Sequence, residues 1–248
     1  MLDVILNHRS IRKYKSNPIS PELLNNILEA GTRASNTGNM QAYSIIVSQA
    51  KDVREKLWEV HFKQNMVLQA PVTLTFCADF NRFSQWCLQR KASPGFDNFL
   101  SFINAAIDAL LASQNVAIEA EANGLGICYL GTTTYNADKI IDILKLPQGV
   151  VPVTTLVVGY PDETPGLTDR LPLNAVIHHE VYQEYSPEAI DRFFDEKDNS
   201  DFTRKLLEIN NKETLAQIFT DNRYTKKDNE FFSKAYLEVI KKQGFMNQ

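Results

Sequence analysis

The stretch NFLSFINAAIDALLASQNVAIEAEANGLGICYLG, residues 98–131, decides what kind of fold this chain can adopt. Its first part predicts a helix over about Asn98–Asn123, roughly 39 Å long at about 1.5 Å per residue. Alanine, leucine and isoleucine fall on more than one face of it, so burial on several sides is expected. Gly124 and Gly126 end the helix, and Ile127 to Leu130 then reads as a strand. The glycines at 124, 126 and 131 invite a dinucleotide-binding reading, but that fingerprint needs a strand before the glycines and a helix after them. Here the order is reversed. The glycines read instead as a helix stop with a tight entry into a strand.

Working towards the N-terminus, Val72 to Cys77, introduced by Pro71, and Tyr43 to Ser48 read as β-runs. Ser20, Pro21 and Glu22 form a helix start: a hydroxyl at the cap, proline in the first turn and an acid near the positive helix end. That helix carries Leu23, Leu24, Ile27, Leu28 and Ala30 on one face and weakens late, at Gly31; the polar segment Ser35 to Gln41 follows as a loop. Towards the C-terminus, Asn136 to Leu144 reads as helix and Val151 to Gly159 as a β-branched core strand. After about Glu180 the chain turns to charged helix formers, with a helix opened by Pro187 and an amphipathic one over Asp228 to Gln243. This stretch, about 180–248, reads as a satellite layer or an arm on another subunit. With no repeat and no long linker, the expectation is one α+β domain over 1–248 with one main sheet.

Composition removes several classes. The net charge of -4 argues against non-specific nucleic-acid binding. Asn104, Asp108, Gln114, Asn115 and Glu119 make the apolar stretch 99–122 too polar for a lipid-facing span, and no apolar core of signal-peptide length precedes His8 and Arg9. Cys77, Cys87 and Cys128 lack a Cys-x-x-Cys spacing and read as reduced, mostly buried thiols of a cytoplasmic protein. His178 and His179 would point to opposite faces of a strand, and no His-Glu-x-x-His or EF-hand pattern occurs, so no metal ligand is named. A Gly-x-Ser-x-Gly elbow and a Walker loop are also missing.

The remaining chemistry lies in polar clusters. His8, Arg9, Ser10, Ile11 and Arg12 offer two guanidiniums, a hydroxyl and an imidazole to a phosphate or to carbonyl oxygens. By itself this segment reads more readily as a solvated basic loop than as a site. It is followed by Ser35, Asn36, Thr37, Gly38, Asn39, Met40, Gln41, then by Gly124 to Gly131, then by Asp169, Arg170, Leu171, Pro172, with Lys242 to Phe245 near the end. In this order and spacing the chain resembles the nitroreductase family, and within it the NADPH-dependent nitroreductase and flavin-reductase branch.

The resemblance implies a central, mainly antiparallel sheet flanked by helices, in an intertwined homodimer with a C-terminal helical arm and FMN at the subunit interface. It implies an enzyme that takes a hydride from NADPH or NADH and passes it to small-molecule oxidants such as nitroaromatics or quinones by a ping-pong route, with no nucleic acid and no membrane involved. His8, Arg9 and Ser10 would contact phosphate and ribityl oxygens, and Arg170 would join the phosphate. Arg12 would face the N1 and O2 edge of the flavin, where it favours the reduced, anionic form. Ser35, Asn36, Thr37, Asn39 and Gln41 would cover the flavin from the partner subunit, and Gln64 would bond its pyrimidine portion. Tyr129, Leu130 and Gly131 would line the ring with a backbone N–H near N5. Protons can come from water, so no catalytic side chain is named. Two departures stand out: Thr168 where relatives often carry lysine, and Asn39 where many carry a bulky aromatic. The cluster Arg223, Lys226 and Lys227 is a candidate for the 2′-phosphate of NADPH, and equally a solvated helix end. Two other readings stay open: an NAD(P)H:flavin oxidoreductase that releases reduced flavin, and a flavin-binding protein without turnover.

Overall fold

The computed structural model describes residues 2–248. They divide into two compact units: the residues up to Gly166 together with Phe232–Gln248, and Leu167–Phe231.

The first unit is built on a four-stranded sheet of order β1-β2-β4-β3, with β1 Tyr43–Ser48, β2 Val72–Asp79, β3 Gly126–Leu130 and β4 Val150–Gly159. All its pairings are antiparallel, in agreement with the expectation of one mainly antiparallel sheet. β2 is buried along its whole length, as a central strand covered on both faces must be. The helices of this unit begin with α1 Asp3–Leu6, α2 Pro21–Thr32, α3 Lys51–Val60, α4 Met66–Gln69 and α5 Asn81–Gln89. They continue with α6 Phe99–Ala122 and α7 Ala137–Leu144. The side chains of Leu74, Phe76, Ile127, Leu156 and Val158 meet α2 and α6 on one face of the sheet. Those of Cys128, Leu130 and Val157 meet α3, α4 and α7 on the other.

Local chemistry explains the elements that position the site. Ser20 caps α2 by accepting the Leu23 N–H at 3.2 Å, as its sequence predicts. Gly31 lies one residue before the end of that helix at Thr32, and it also serves a contact. A Cβ there would stand 2.5 Å from Val116 Cγ2 of α6, so glycine is what lets the two helices close. Asn98 caps α6 through the Ser101 N–H at 3.0 Å. Gly124, at φ 74°, turns the chain from α6 into β3.

Within one chain, α6 is not buried on several sides. It buries Ala105, Asp108, Ala109, Ala112, Ser113, Val116 and Ala120 on one face, while Leu100 (67% exposed), Ile103, Ile107, Leu110 and Leu111 lie open on the other. Its length and composition suffice to cross a membrane. The packing of its small-residue face on the sheet makes it a core helix. All three cysteines are free and buried, and burial pushes the Cys77 and Cys128 thiols up from their ordinary value.

The second unit carries α8 Pro187–Asp198, α9 Asp201–Asn210 and α10 Leu215–Gln217, and α11 Lys226–Lys242 follows. Ser186, Ser200 and Thr214 cap α8, α9 and α10. His178 and His179 sit in a loop rather than on a strand, where His178 accepts the Gln183 N–H at 3.0 Å and lies 2.9 Å from the Tyr185 hydroxyl.

Candidate functional site

The segment His8–Lys15 has few residues of its own to bury, and it solves this by annealing to the free edge of β3 and to the residues just after β4. Ser10 bridges Ile127 in parallel, the Ile11 N–H reaches the Ile127 carbonyl at 2.8 Å, and Lys15 N–H reaches the Tyr160 carbonyl at 2.9 Å. Ile11 and Tyr14 are buried, and the Tyr14 hydroxyl donates to the Ile11 carbonyl at 2.6 Å. Burial, with the Cys128 thiol nearby, raises the Tyr14 phenol well above its ordinary value, so it remains a donor. Glu163 fixes the far end by accepting the N–H groups of Arg12 and Lys13 at 2.6 and 3.1 Å.

This geometry brings the first motif beside the third. Arg9 lines a shallow pocket of about 280 Å³ with Ile11, Glu121, Gly126 and Glu163. The pocket contains carboxylates, but each is already engaged: Glu121 with His8 Nδ1 at 2.9 Å, Glu163 with two backbone donors. The Arg9 Nε is buried and has no hydrogen-bond partner among the described residues. An unmade bond of this kind, on a charged group, is costly unless a ligand completes it. Ser10 is half-buried and Arg12 exposed.

Gln64 joins the other end of β3. Its Nε2 donates to the His61 carbonyl at 3.1 Å and to Thr132 Oγ1 at 3.4 Å, the residue after Gly131. Thr132 Oγ1 also lies 2.7 Å from Nδ1 of His61, which is fully buried. Burial lowers the His61 imidazole from 6.5 to about 4. Gly131 faces open space where a Cβ would stand. The side chains of Tyr129 and Leu130 turn inward, Tyr129 with its hydroxyl on Ser113 Oγ at 3.1 Å. Of this trio, a ligand can therefore reach the backbone and the bare side of Gly131.

The loop Ser35–Gln41 lies elsewhere. It is tied to the middle of α6 by Asp108, whose carboxylate accepts Thr37 N–H at 2.8 Å, Thr37 Oγ1 at 3.0 Å and Ala42 N–H at 3.3 Å. His8 is tied to the end of the same helix at Glu121. At about 1.5 Å per residue, Asp108 and Glu121 stand roughly 20 Å apart along the helix axis. Inside the loop Asn36 Oδ1 accepts the Gln41 N–H at 3.2 Å, Asn39 accepts from the Gln41 amide at 3.3 Å, and Ser35 is exposed. Gly38, Asn39 and Gln41 all have positive φ. The Arg82 guanidinium supports the loop by donating to the carbonyls of Gln41 and Tyr43. Arg170 belongs to the second unit, where its Nη1 donates to the carbonyls of Thr168 and Asp169 at 3.1 and 2.9 Å. Arg223 lies over the Phe219 ring at 5.9 Å, and Lys226 is 3.9 Å from Glu230.

Asp108, Glu163, His61 and Thr132 escaped the sequence reading. Only Asp108 left a signal there, as an acid inside an otherwise apolar helix.

His61 supplies a pH prediction. Between pH 6.5 and about 4 the unfolded chain binds a proton that the buried imidazole refuses. Its contribution is thus intact above about pH 6.5 and is lost as the pH falls towards 4, by about 3 kcal/mol in all. Urea unfolding across that window should show a steeper loss for the parent than for His61→Gln. Parallel curves would refute the assignment.

The donor set fits the flavin that the resemblance implies: an unsatisfied arginine Nε, a serine hydroxyl and an exposed arginine along one strand edge, with an amide and a bare glycine at its other end. Comparisons with known proteins agree. The sequence profile described as the nitroreductase family matches residues 5–160. An FMN reductase (NADPH) of Bacillus subtilis is 35% identical over 183 residues, spanning 73% of this chain and 74% of that protein. A Bacteroides fragilis protein classed as an oxidoreductase superposes with TM-score 0.98 at 52% identity, covering 99% of this chain and 100% of that one. The NfrA1 nitroreductase of Bacillus subtilis superposes with TM-score 0.87 at 30% identity, covering 98% of each chain.

Proposed function

Because the chain belongs to the nitroreductase family, we propose that it is an FMN-dependent oxidoreductase that takes a hydride from NADPH or NADH and reduces nitroaromatic, quinone or related acceptors by a ping-pong route. The observation that carries this reading is the annealing of His8–Arg12 onto β3, which aligns an unsatisfied Arg9 Nε with an open Gly131 and Gln64. When bound, FMN supplies a hydride acceptor and donor at N5. The protein's part is to hold and tune it. Arg9 and Ser10 bind phosphate and ribityl oxygens with His8, and Arg170 is included among the phosphate ligands on the strength of its Asp-Arg-Leu-Pro motif. Arg12 sets positive charge at the N1 and O2 edge. Gln64 commits its Nε2 to His61 and Thr132, which leaves Oε1 to accept a pyrimidine N–H. The backbone at Tyr129, Leu130 and Gly131 approaches the ring.

The protein works as a homodimer in this reading. Two observations support it: the exposed aliphatic stripe Leu100, Ile103, Ile107 and Leu110 on α6, and the anchoring of Ser35–Gln41 far along α6 from the first motif. Ser35, Asn36, Thr37, Asn39 and Gln41 then serve the partner's flavin. The whole chain acts as one functional domain, and three buried free thiols suit the reducing cytoplasm. The exposure of Arg12 also suits exchange of flavin with solvent, so release of reduced flavin is the second reading; free FMN would then act as a saturable substrate in steady-state kinetics.

A visible spectrum with identification of the released cofactor, followed by anaerobic mixing with NADPH and with NADH, tests the main reading. A colourless protein that cannot be reconstituted with FMN, or bound flavin that neither donor bleaches, would end it. The two arginines should separate. Arg9→Ala should weaken FMN retention by about ten-fold or more, with the flavin that stays bound still reduced. Arg12→Ala should slow reduction while leaving FMN retention within about three-fold. Equal effects in both assays would contradict this division.

A further inference from the structure

α3 ends in an unusual turn. Its next residue, His61, is followed by Phe62 at φ 55° and Lys63 at φ 56°, the left-handed region that glycine normally fills after a helix. Two consecutive bulky residues hold that conformation immediately before Gln64. The turn is over-determined: Lys63 N–H bonds the Trp58 carbonyl at 3.0 Å, and Gln64 N–H bonds the His61 carbonyl at 3.3 Å. Strain maintained in this way marks a position where the side chain matters.

The strained Phe62 is not buried in return. It is 53% exposed, and its ring lies 6.2 Å from that of Tyr135 and 6.3 Å from that of Phe232. Tyr135 and Phe232 are themselves stacked, with centroids 4.2 Å apart and planes 11° from parallel. Tyr135 follows Gly131 and Thr132 on the short turn after β3, and Thr132 bonds Gln64. An aromatic shelf with one open ring thus stands beside the Gln64 end of the site.

We infer that Phe62 is a specificity-determining residue whose exposed ring, held out by the strained turn, packs against a flat, electron-poor aromatic ring of a reactant. The inference rests on the flavin reading of the Gly131–Gln64 end. Two reactants carry such a ring, the nicotinamide of the donor and a quinone or nitroaromatic oxidant. Aromatic packing adds to apolar burial, and its loss changes affinity by about three- to ten-fold.

Phe62→Gly is the decisive variant, since glycine relieves the positive φ and removes only a half-exposed ring. With FMN bound, it should melt no lower than the parent and keep its flavin content and spectrum. Rapid mixing should then show a three- to ten-fold weaker Kd either for NADPH in the reductive half-reaction or for 1,4-benzoquinone in the oxidative one. The arm that moves identifies the ring's source, and ferricyanide, which has no aromatic face, should react as before. Unchanged affinity in both arms would overturn the proposal. So would selective loss of FMN by the variant, which would make Phe62 a cofactor contact instead. A parent protein unable to take up FMN would remove the flavin reading and this proposal together.

Discussion

Replacing Asp108 by alanine should cost about 3–5 kcal/mol of stability and release FMN from the assembled enzyme. The carboxylate is 1% exposed and accepts from Thr37 N, Thr37 Oγ1 and Ala42 N. Alanine leaves these donors facing the buried side of α6, which also carries Ala105, Ala109 and Ala112. The backbone donors cannot turn to water while α6 stays packed on the sheet. The loop Ser35–Gln41 must therefore lift, and it carries the residues proposed to cover the partner's flavin. The milder Asp108→Asn change would keep one acceptor for Thr37 but present an amide to a backbone donor, so an intermediate loss is expected. Thermal unfolding read beside flavin fluorescence checks both effects. A variant that melts like the parent and holds its flavin would show that the loop does not depend on this anchor.

The second large effect is expected at Gly126. A Cβ on this residue would stand 2.7, 2.9 and 3.0 Å from Cγ1, Cβ and Cγ2 of Ile11. Ile11 cannot yield by rotating, because its β-branched side chain is stiff at χ1 and the Cβ itself is in the way. Nor can its backbone retreat freely, being bonded to Ile127 and to the Tyr14 hydroxyl. Gly126→Ala should thus prise the His8–Arg12 segment from β3, at about 1–3 kcal/mol for the overpacking. FMN affinity should fall at least ten-fold, because Arg9, Ser10 and Arg12 lose their alignment together. Titration of apoprotein with FMN measures this, and an affinity within two-fold of the parent would refute the account of the strand edge.

The sheet and its helices were legible because each rests on local signals. Tyr43–Ser48 is a strand by its β-rich composition, α2 is announced by Ser20 and Pro21, and α6 by its length. α3, α5 and α9 were not read from the sequence, since their apolar residues are sparse among charged and polar ones and no strong cap marks α3 or α5. The packing role of Gly31 went unread for a related reason. A helix-weakening residue and a helix-contact residue look alike until Val116 is known to lie opposite.

The candidate site divides in the same way. Motif order pointed to His8–Arg12 and Gly131, and the family resemblance to Gln64; the structure brings Ser10 and Ile11 to the edge of β3 and Gln64 to Thr132, just past the end of that strand. The inward turn of Tyr129 could not be foreseen, because which face of β3 meets α6 depends on register. Asp108, Glu163 and Thr132 act through partners distant in sequence, and no spacing rule announces such contacts.

The attachment of His8–Lys15 to β3 has a kinetic meaning. The segment lies along the sheet edge through single bridges to Ile127 and Pro161 and a handful of backbone bonds, whereas β2 and β4 are locked at the centre of the sheet. Such an edge frays as a small cooperative unit far more often than the whole molecule unfolds. On the proposed role of this segment in holding FMN, cofactor exchange should proceed through its peeling alone, at a rate set by that local opening. The amide of Ile11 would trade its hydrogen for deuterium at the pace of flavin exchange, while those of Leu74 and Leu156 would wait for global unfolding.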